Sequence, residues 1–162
     1  LHLSPEIIKA GIQKARWSGR FEIIAKEPLF IIDGAHNEDA AEKLYATLQN
    51  YFTNRRITYI IGVLADKEYE KILKIMLPAA ERVYTVTPKN PRALAAEALA
   101  GTAENILAGY HSAEKVSVMA CSSVEEAVET AQKQAGRDEI VLAFGSLSYL
   151  AEVRQAVSVN NE

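Results

Sequence analysis

Short apolar runs rich in β-branched residues recur along the chain, and a segment with helical periodicity follows most of them. Apolar runs of this length, bounded by polar turns, are typical of buried strands, whereas apolar residues spaced three and four apart indicate one face of a helix. Alternation of the two predicts parallel strands joined by helices. The predicted strands are PLFIID (28–33), ITYIIGV (57–63), RVYTV (82–86), KVSVMA (115–120) and EIVLAF (139–144).

The apolar spacing between these runs predicts three helices and their buried faces. Ser123 and Glu126 have the spacing of a capping box at one helix start. Asn90 is predicted to cap a helix that has Pro91 at its first position, and Gly101 to separate two short helices. The three buried faces are Ala41, Leu44, Leu48 and Tyr51; Tyr69, Ile72, Leu73 and Met76; and Val124, Ala127, Val128 and Ala131.

One further apolar run, RFEIIA at 20–25, precedes the first of these strands, and only the residues KEP separate the two. This link is too short for a crossover helix, so the run should pair antiparallel with its successor or lie apart at an edge. The predicted fold class is therefore α/β, with three Rossmann-like layers. A mostly parallel sheet of about six strands, with one early antiparallel edge strand, carries helices on both faces.

Composition limits the classes of protein and partner. A chain of 162 residues with 49% hydrophobic content fits one globular domain, which buries roughly 70% of the surface of its unfolded form. Its 18 basic and 21 acidic residues contain no block of five like charges, which argues against nucleic-acid and membrane-surface binding. The single Cys121 excludes an internal disulfide, and we expect it to be buried. Since the sequence contains no recognisable signal peptide or membrane-spanning segment, we expect a cytoplasmic protein.

Two glycine-containing turns follow predicted strands: DGAHN after the first parallel strand and FGSLS after the last. In an open parallel sheet such turns lie on one edge, where ligands usually bind, so Asp33, His36 and Ser146 should share that edge. A structural interpretation competes: Asp33 or Asn37 caps one helix, His36 is a surface histidine, and Ser146 or Ser148 caps the last helix. On spacing alone the structural interpretation is favoured, because caps are more frequent than sites.

Other motifs, or their absence, exclude several classes of site. No G-x-x-x-x-G-K-[ST] occurs and no G-x-G-x-x-G follows a strand, so the chain is not a complete nucleotide-hydrolysing unit. The histidines lack metal-ligand spacing and FGSLS is not a G-x-S-x-G elbow, which disfavours a zinc site and a triad hydrolase. In RWSGR, the guanidinium of Arg20 suits phosphate oxygens but is equally consistent with a solvated charge. Asp66 is predicted to cap a helix and Lys67 to be a charge at the same edge of the sheet.

The order of five motifs resembles the C-terminal domain of the folylpolyglutamate synthase/dihydrofolate synthase family, within the Mur ligase superfamily. Ser18 and Glu38 stand where that family usually has proline. The motifs, which cover nearly the whole chain, are ARWSGRFEII, IIDGAHNEDAAEKL, IIGVLADKEYEKIL, TPKNPRALAAEALA and LAFGSLSYLAEVR.

The resemblance implies a ligase that makes an amide in two steps. ATP phosphorylates the substrate carboxylate, and the amino group of glutamate then attacks the acyl phosphate. Motif matching implies that Arg20 and Asp33 contact ATP, whereas His36 and Ser146 help hold glutamate. It implies no catalytic residue and no metal ligand in this domain alone, because the phosphate loop and the Mg²⁺ ligands belong to an N-terminal domain that the chain lacks.

The resemblance also sets the expected extent and partners. Residues 1–162 would form the C-terminal domain of a longer, monomeric enzyme, with residues 1–16 as a linker helix, and the isolated domain would be inactive. Expected partners are ATP with Mg²⁺, folate or dihydropteroate, L-glutamate and the enzyme's own N-terminal domain, but neither nucleic acid nor membrane. Two alternatives remain: the C-terminal domain of a cell-wall Mur ligase that adds another amino acid, and a non-catalytic Rossmann-like binding module.

Overall fold

A computed structural model describes residues 20–53, 55–110 and 116–160. The predicted linker helix at 1–16 lies outside the described residues. None of the helices in these ranges combines the length and apolarity needed to cross a bilayer. The strands are β1 (Glu22–Lys26), β2 (Leu29–Ile32), β3 (Ile57–Ile61), β4 (Ala80–Thr85), β5 (Ser117–Ala120) and β6 (Ile140–Phe144). The helices are α1 (Glu38–Tyr51), α2 (Tyr69–Met76), α3 (Ala96–Ala108), α4 (Val124–Gln134) and α5 (Leu150–Val159). Two 3-10 turns lie at Leu77–Ala79 and Leu147–Tyr149.

The strands form one sheet in the order β1-β2-β6-β3-β4-β5. β1 pairs antiparallel with β2 at the edge, and every other neighbouring pair is parallel. The predicted fold class and the antiparallel edge strand are confirmed. All residues of β3 and β6 are buried, as expected for central strands covered by helices on both faces.

Successive residues of the strands pack on opposite faces of the sheet, because side chains alternate along an extended chain. One face, with Ile31, Tyr59 and Leu142, packs against α1, α2 and α3. The other face, with Phe30 and Ile60, packs against α4 and α5. The sheet is therefore the middle layer of three, and both cores reach the carboxyl ends of its central strands.

Side chains before two helices satisfy first-turn amide groups, which have no partner within the helix. The Asn37 carboxamide oxygen accepts a hydrogen bond from the amide of Ala40 at 2.9 Å, so Asn37 caps α1. Ser123 Oγ accepts from the amide of Glu126 at 3.1 Å and caps α4. The Glu126 carboxylate reaches back to the amide of Ser122 at 2.6 Å, which places the reciprocal bond of the predicted capping box one residue earlier than the cap.

The prediction that Asn90 caps a helix starting at Pro91 is wrong. The Asn90 carboxamide accepts from the amide of Arg92 at 2.9 Å within a turn, and α3 begins only at Ala96. Pro91 and Arg92 continue this turn, and Ala93 then forms an antiparallel bridge with Leu64 in the segment that follows β3. The Thr87 hydroxyl accepts from the amide of Ala96 at 2.9 Å and supplies the cap from further upstream.

Two predictions about helix interiors are also wrong. Gly101 does not separate two helices, since α3 runs through it; a Cβ at this position would meet no atom within 4 Å. The continuous apolar face that contains Leu99 and Ala103 keeps the helix in one piece. Tyr51, predicted to be buried, is the last residue of α1 and is 47% exposed, because the helix has by then run past the edge of the sheet core.

Candidate functional site

The strand order brings the DGAHN and FGSLS turns together, since β2 and β6 are neighbours. The amide of Asp33 donates to the carbonyl of Ala143 at 2.9 Å, which extends the parallel ladder beyond the last paired residue of β2. The amide of Gly145 donates to the carbonyl of Ala35, also at 2.9 Å. The two turns are thus fixed to each other by backbone hydrogen bonds at the carboxyl edge of the sheet, as the sequence predicts.

A cleft of about 220 Å³ opens at this edge. His36 and Ser146 both line it, so the expected proximity of these two side chains is observed. Two cationic residues, Lys67 and Arg92, join them from the turns that follow β3 and β4. The full lining is His36, Leu64, Lys67, Arg92, Gly145, Ser146 and Leu147.

Arg92 is held in place by both its backbone and its side chain. The carbonyl of Arg92 accepts from the amide of Ala65 at 2.8 Å, and the amide of Leu94 donates to the carbonyl of Val63 at 3.0 Å. The guanidinium forms an ion pair with Asp66 at 2.8 Å. The predicted helix cap at Asp66 is therefore wrong: its carboxylate binds Arg92, and α2 begins without a side-chain cap.

Lys67 lies at the mouth of the cleft and is exposed, as predicted for a charge at this edge. Among the described residues, no carboxylate forms an ion pair with its ammonium group. The cleft therefore presents positive charge from two directions, with Asp66 balancing only that of Arg92. Such a surface favours an anionic ligand over a neutral one.

His36 is exposed, but its ring is oriented by one hydrogen bond. Nδ1 lies 2.7 Å from the carbonyl oxygen of Gly34, and because a carbonyl can only accept, Nδ1 carries a proton. Nε2 is then the ring nitrogen that remains to meet a ligand. The neighbouring Asn37 supplies the helix cap, so His36 itself has no structural task in α1.

Ser146 serves the structure and faces the cleft at the same time. Only 6% of it is exposed. Its hydroxyl oxygen accepts from the amide of Ser148 at 3.2 Å and lies 2.8 Å from Ser148 Oγ. Ser146 thus caps the 3-10 turn that leads into α5, which is the structural interpretation, and the same residue lines the cleft.

Asp33 holds the start of the domain against the DGAHN turn. One carboxylate oxygen accepts from the amide of Phe21 and the other from the amide of Ala35, both at 2.7 Å. Phe21 has a φ of 45°, an uncommon conformation for a residue with a side chain, and its bond to Asp33 stabilises it. Burial raises the pKa of the Asp33 carboxyl, while the two amides and the charge of Arg20 act in the opposite direction.

Arg20 and Asp33 therefore form a second group beside the cleft. Arg20 is exposed at the beginning of the described chain, and its positive charge acts on the Asp33 carboxylate. Neither residue lines the cleft that contains His36 and Ser146. The four predicted site residues thus form two pairs, Arg20 with Asp33 and His36 with Ser146, and the DGAHN turn connects the pairs.

Backbone packing at the floor of the cleft requires glycine. Gly145 has a φ of 112°, a conformation that residues with a side chain rarely adopt. A Cβ there would lie 2.6 Å from the carbonyl oxygen of Gly62 at the end of β3. The close approach of these two glycines brings the FGSLS turn against β3 and leaves the cleft open above it.

The described residues contain no group of three or more His, Cys, Asp or Glu side chains that could hold a metal ion. The potential ligands of the cleft are instead cationic and hydroxyl groups together with one imidazole. This set suits carboxylate or phosphate oxygens, which accept charge-assisted hydrogen bonds.

The chain is similar to known proteins over most of its length. Residues 19–147 match the family described as Mur ligase, glutamate ligase domain. The chain belongs to this family. A relative from Bacillus subtilis, dihydrofolate synthase/folylpolyglutamate synthase, is 30% identical over 154 residues, which is 95% of this chain and 34% of the relative. The chain thus spans about a third of the length of this curated relative.

Solved structures of the same family share the fold. Escherichia coli FolC in complex with DHPP and ADP matches with a TM-score of 0.79 and 28% identity, over all of this chain and 36% of that one. A bifunctional folylpolyglutamate synthase/dihydrofolate synthase with Mn, AMPPNP and L-glutamate bound matches with a TM-score of 0.75 and 30% identity, over 98% of this chain and 36% of that one.

Sequence reasoning did not assign Lys67 and Arg92 to the site. Each lies in a turn that follows a strand, so the rule that places DGAHN and FGSLS at the carboxyl edge applies equally to them. That edge is long, however, and only the order β6-β3-β4 places their turns beside FGSLS. The usable signal was the positive charge in two turns at the same edge.

Proposed function

We propose that residues 1–162 are the C-terminal domain of an ATP-dependent ligase that adds L-glutamate to folate through an acyl phosphate. The family match and the names of the relatives support this activity. These relatives are folate synthases, which favours a folate substrate over the acceptor of a cell-wall ligase. The match to a ligase family favours a catalytic role over a non-catalytic binding module.

The observation that carries the proposal is the composition of the cleft at the carboxyl edge. Lys67 and Arg92 offer positive charge, Ser146 offers a hydroxyl group, and His36 offers a ring nitrogen. Glutamate carries two carboxylates, so charge-assisted hydrogen bonds from such groups can hold both ends of the molecule. His36 and Ser146 are the residues that we assign to glutamate, with the two cations as additional partners.

We assign Arg20 and Asp33 to the nucleotide side. The exposed guanidinium of Arg20 has the geometry to bind phosphate oxygens in pairs. Asp33 fixes the backbone of Phe21, the next residue, and its negative charge lies close enough to act on Arg20. The Mg²⁺ that accompanies ATP would be held by an N-terminal domain outside this chain, along with the phosphate loop.

The proposed reaction consumes ATP, a folate carboxylate and glutamate, and yields an amide, ADP and phosphate. The folate carboxylate accepts the γ-phosphoryl group, and the glutamate nitrogen then displaces phosphate from the acyl carbon. This domain contributes binding and orientation, because holding two reactants together accounts for much of the rate of such a step. We also propose that the parent enzyme is cytoplasmic and monomeric.

Steady-state assays of the full-length parent enzyme test the proposal. ADP formation should require a folate or dihydropteroate together with L-glutamate. L-alanine, D-glutamate and L-aspartate in place of L-glutamate provide the matched controls, and none of them should support the same rate. ADP formation that depends on a nucleotide-linked muropeptide acceptor instead of a folate would assign the domain to a cell-wall ligase. ADP formation that is independent of any amino acid would contradict the proposal outright.

A further inference from the structure

Tyr149 connects the two central strands at the floor of the cleft. Its side chain is completely buried, at the end of the 3-10 turn that Ser146 caps. Its hydroxyl group lies 2.6 Å from the carbonyl oxygen of Phe144 on β6 and 3.0 Å from that of Ile60 on β3. The single hydroxyl proton is therefore shared between two adjacent strands. Beyond this point, the turns that follow both strands line the cleft.

The ring of Tyr149 also fits closely against the end of β3. A Cβ added to Gly62 would lie 3.0 Å from the ring atom Cε1 of Tyr149, and equally close to Val86 and Pro88. The carbonyl of Gly62 in turn faces Gly145, where a Cβ would approach it to 2.6 Å. Contacts thus run without a gap from Tyr149 through Gly62 to Gly145, which precedes Ser146.

A second buried tyrosine, Tyr59, provides a comparison for the hydroxyl group of Tyr149. Tyr59 lies in the middle of β3 and faces the opposite side of the sheet, and no described residue gives its hydroxyl oxygen a hydrogen-bond partner. Tyr149, by contrast, has two backbone acceptors on two strands. The Tyr149 hydroxyl group therefore joins β3 to β6, a link that the ring alone could not make.

We propose that Tyr149 is a positioning residue, whose hydroxyl group sets the spacing of β3 and β6 so that Gly145 and Ser146 present the correct surface to glutamate. This inference rests on the function proposed above. Tyr149 is buried and does not line the cleft, so it acts through Ser146 and not on the ligand. Loss of the hydroxyl should disturb the amino-acid side of the site while leaving the nucleotide side, built around Arg20 and Asp33, intact.

The test is Tyr149→Phe in the full-length enzyme, with Tyr59→Phe as the matched control. For Tyr149→Phe, kcat/KM for glutamate should fall roughly five- to tenfold, the size expected for one lost hydrogen bond, with the KM for ATP unchanged. Tyr59→Phe removes the same atom from the core on the other face of the sheet and should leave both parameters unchanged. If Tyr149→Phe proves too unstable to assay, Gly62→Ala is the second variant. Its new methyl group would lie 3.0 Å from Cε1 of Tyr149, displace the ring and so reproduce the selective loss.

A double-mutant cycle with Ser146→Ala separates positioning from general support of the fold. If Tyr149 acts through Ser146, Tyr149→Phe should have little further effect on glutamate kinetics in the Ser146→Ala background. A full additional loss in that background would overturn the inference, as would equal losses toward glutamate and ATP, or parental kinetics for Tyr149→Phe. A parent enzyme without folate- and glutamate-dependent ADP formation would instead overturn the proposed function and this inference together.

Discussion

The two edges of the sheet carry clefts of similar size whose charged and polar groups are arranged differently. The amino edge has a cleft of about 260 Å³, compared with about 220 Å³ at the carboxyl edge, and Arg55, Arg56 and Glu81 line it. There, Arg56 binds Glu81 at 3.0 Å and Glu139 at 2.6 Å, and Arg82 binds Glu139 at 2.9 Å. Arg56 and Arg82 are thus paired, whereas no carboxylate among the described residues forms an ion pair with Arg55.

At the carboxyl edge, Arg92 forms an ion pair with Asp66, and no carboxylate among the described residues pairs with Lys67. The difference shows that neither the size of a cleft nor the presence of arginine identifies a binding site. What distinguishes the carboxyl edge is the imidazole of His36 and the hydroxyl group of Ser146 beside its cations, together with turns that are tied to each other by backbone hydrogen bonds.

The largest expected effect concerns the amino edge. Glu139 is 2% exposed and also accepts from the amide of Gly136 at 3.0 Å. Glu139→Gln should lower the free energy of unfolding by about 2 to 4 kcal/mol, because it leaves Arg56 and Arg82 without their shared carboxylate. Urea unfolding of the chain measures this loss. A loss below about 0.5 kcal/mol, the size seen at ordinary surface positions, would mean that the network is not structural.

The second effect tests the backbone of the carboxyl edge. Gly145→Ala should lower the free energy of unfolding by about 1 to 3 kcal/mol, since the new Cβ meets the Gly62 carbonyl in a left-handed conformation. Gly101→Ala is the matched control, because it adds the same methyl group to open space within a helix. It should stabilise the chain by about 0.5 to 1 kcal/mol. Equal effects at the two glycines, measured by thermal and urea unfolding, would contradict the close packing at the floor of the cleft.

The third effect compares one cation from each edge. Lys67→Ala in the full-length enzyme should weaken apparent glutamate affinity by roughly three- to tenfold, a modest change because solvent screens an exposed charge. Arg55→Ala removes the same charge from the cleft at the amino edge and should not change glutamate kinetics. Steady-state rates at varied glutamate concentrations measure both variants. Matching losses would mean that only the overall charge matters.

The smallest effect lies between the two edges, in the middle of β3. Tyr59→Phe removes a buried hydroxyl that has no described partner, and burial keeps the pKa of that hydroxyl above its usual value. The variant should be as stable as the parent or more stable, by up to about 1 kcal/mol. Chemical denaturation provides the value. A clear loss of stability would indicate that the hydroxyl has a partner, such as a buried water molecule.

The sequence predicts the strands and the layers because both depend on local patterns. β3 and β6 are continuous apolar runs, and the strand bounds fall within three residues of the predicted ones. The antiparallel edge strand follows from a link too short to cross the sheet, and the cap at Ser123 follows from one spacing. No long-range information is needed for any of these features.

The features that the sequence missed all depend on contacts between distant segments. Asn90 has the spacing of a helix cap, but a turn follows it and Ala93 then pairs with Leu64, so no helix begins there. Asp66 has the same local signal and binds Arg92 instead. The cationic part of the cleft was missed for this reason, since strand order is decided by pairing across the sheet and not by any one stretch of sequence.

In the proposed ligase, the DGAHN turn separates two substrates, with Arg20 and Asp33 serving ATP, and His36 and Ser146 serving glutamate. The most direct measurement is the apparent affinity of the full-length enzyme for each substrate in Arg20→Ala, His36→Ala and Ser146→Ala, after melting temperatures have been matched to the parent. Arg20→Ala should weaken ATP selectively, by roughly tenfold, and the other two should weaken glutamate selectively, by roughly ten- to a hundredfold. Equal losses toward both substrates in all three variants, or no loss toward glutamate in His36→Ala and Ser146→Ala, would contradict this division.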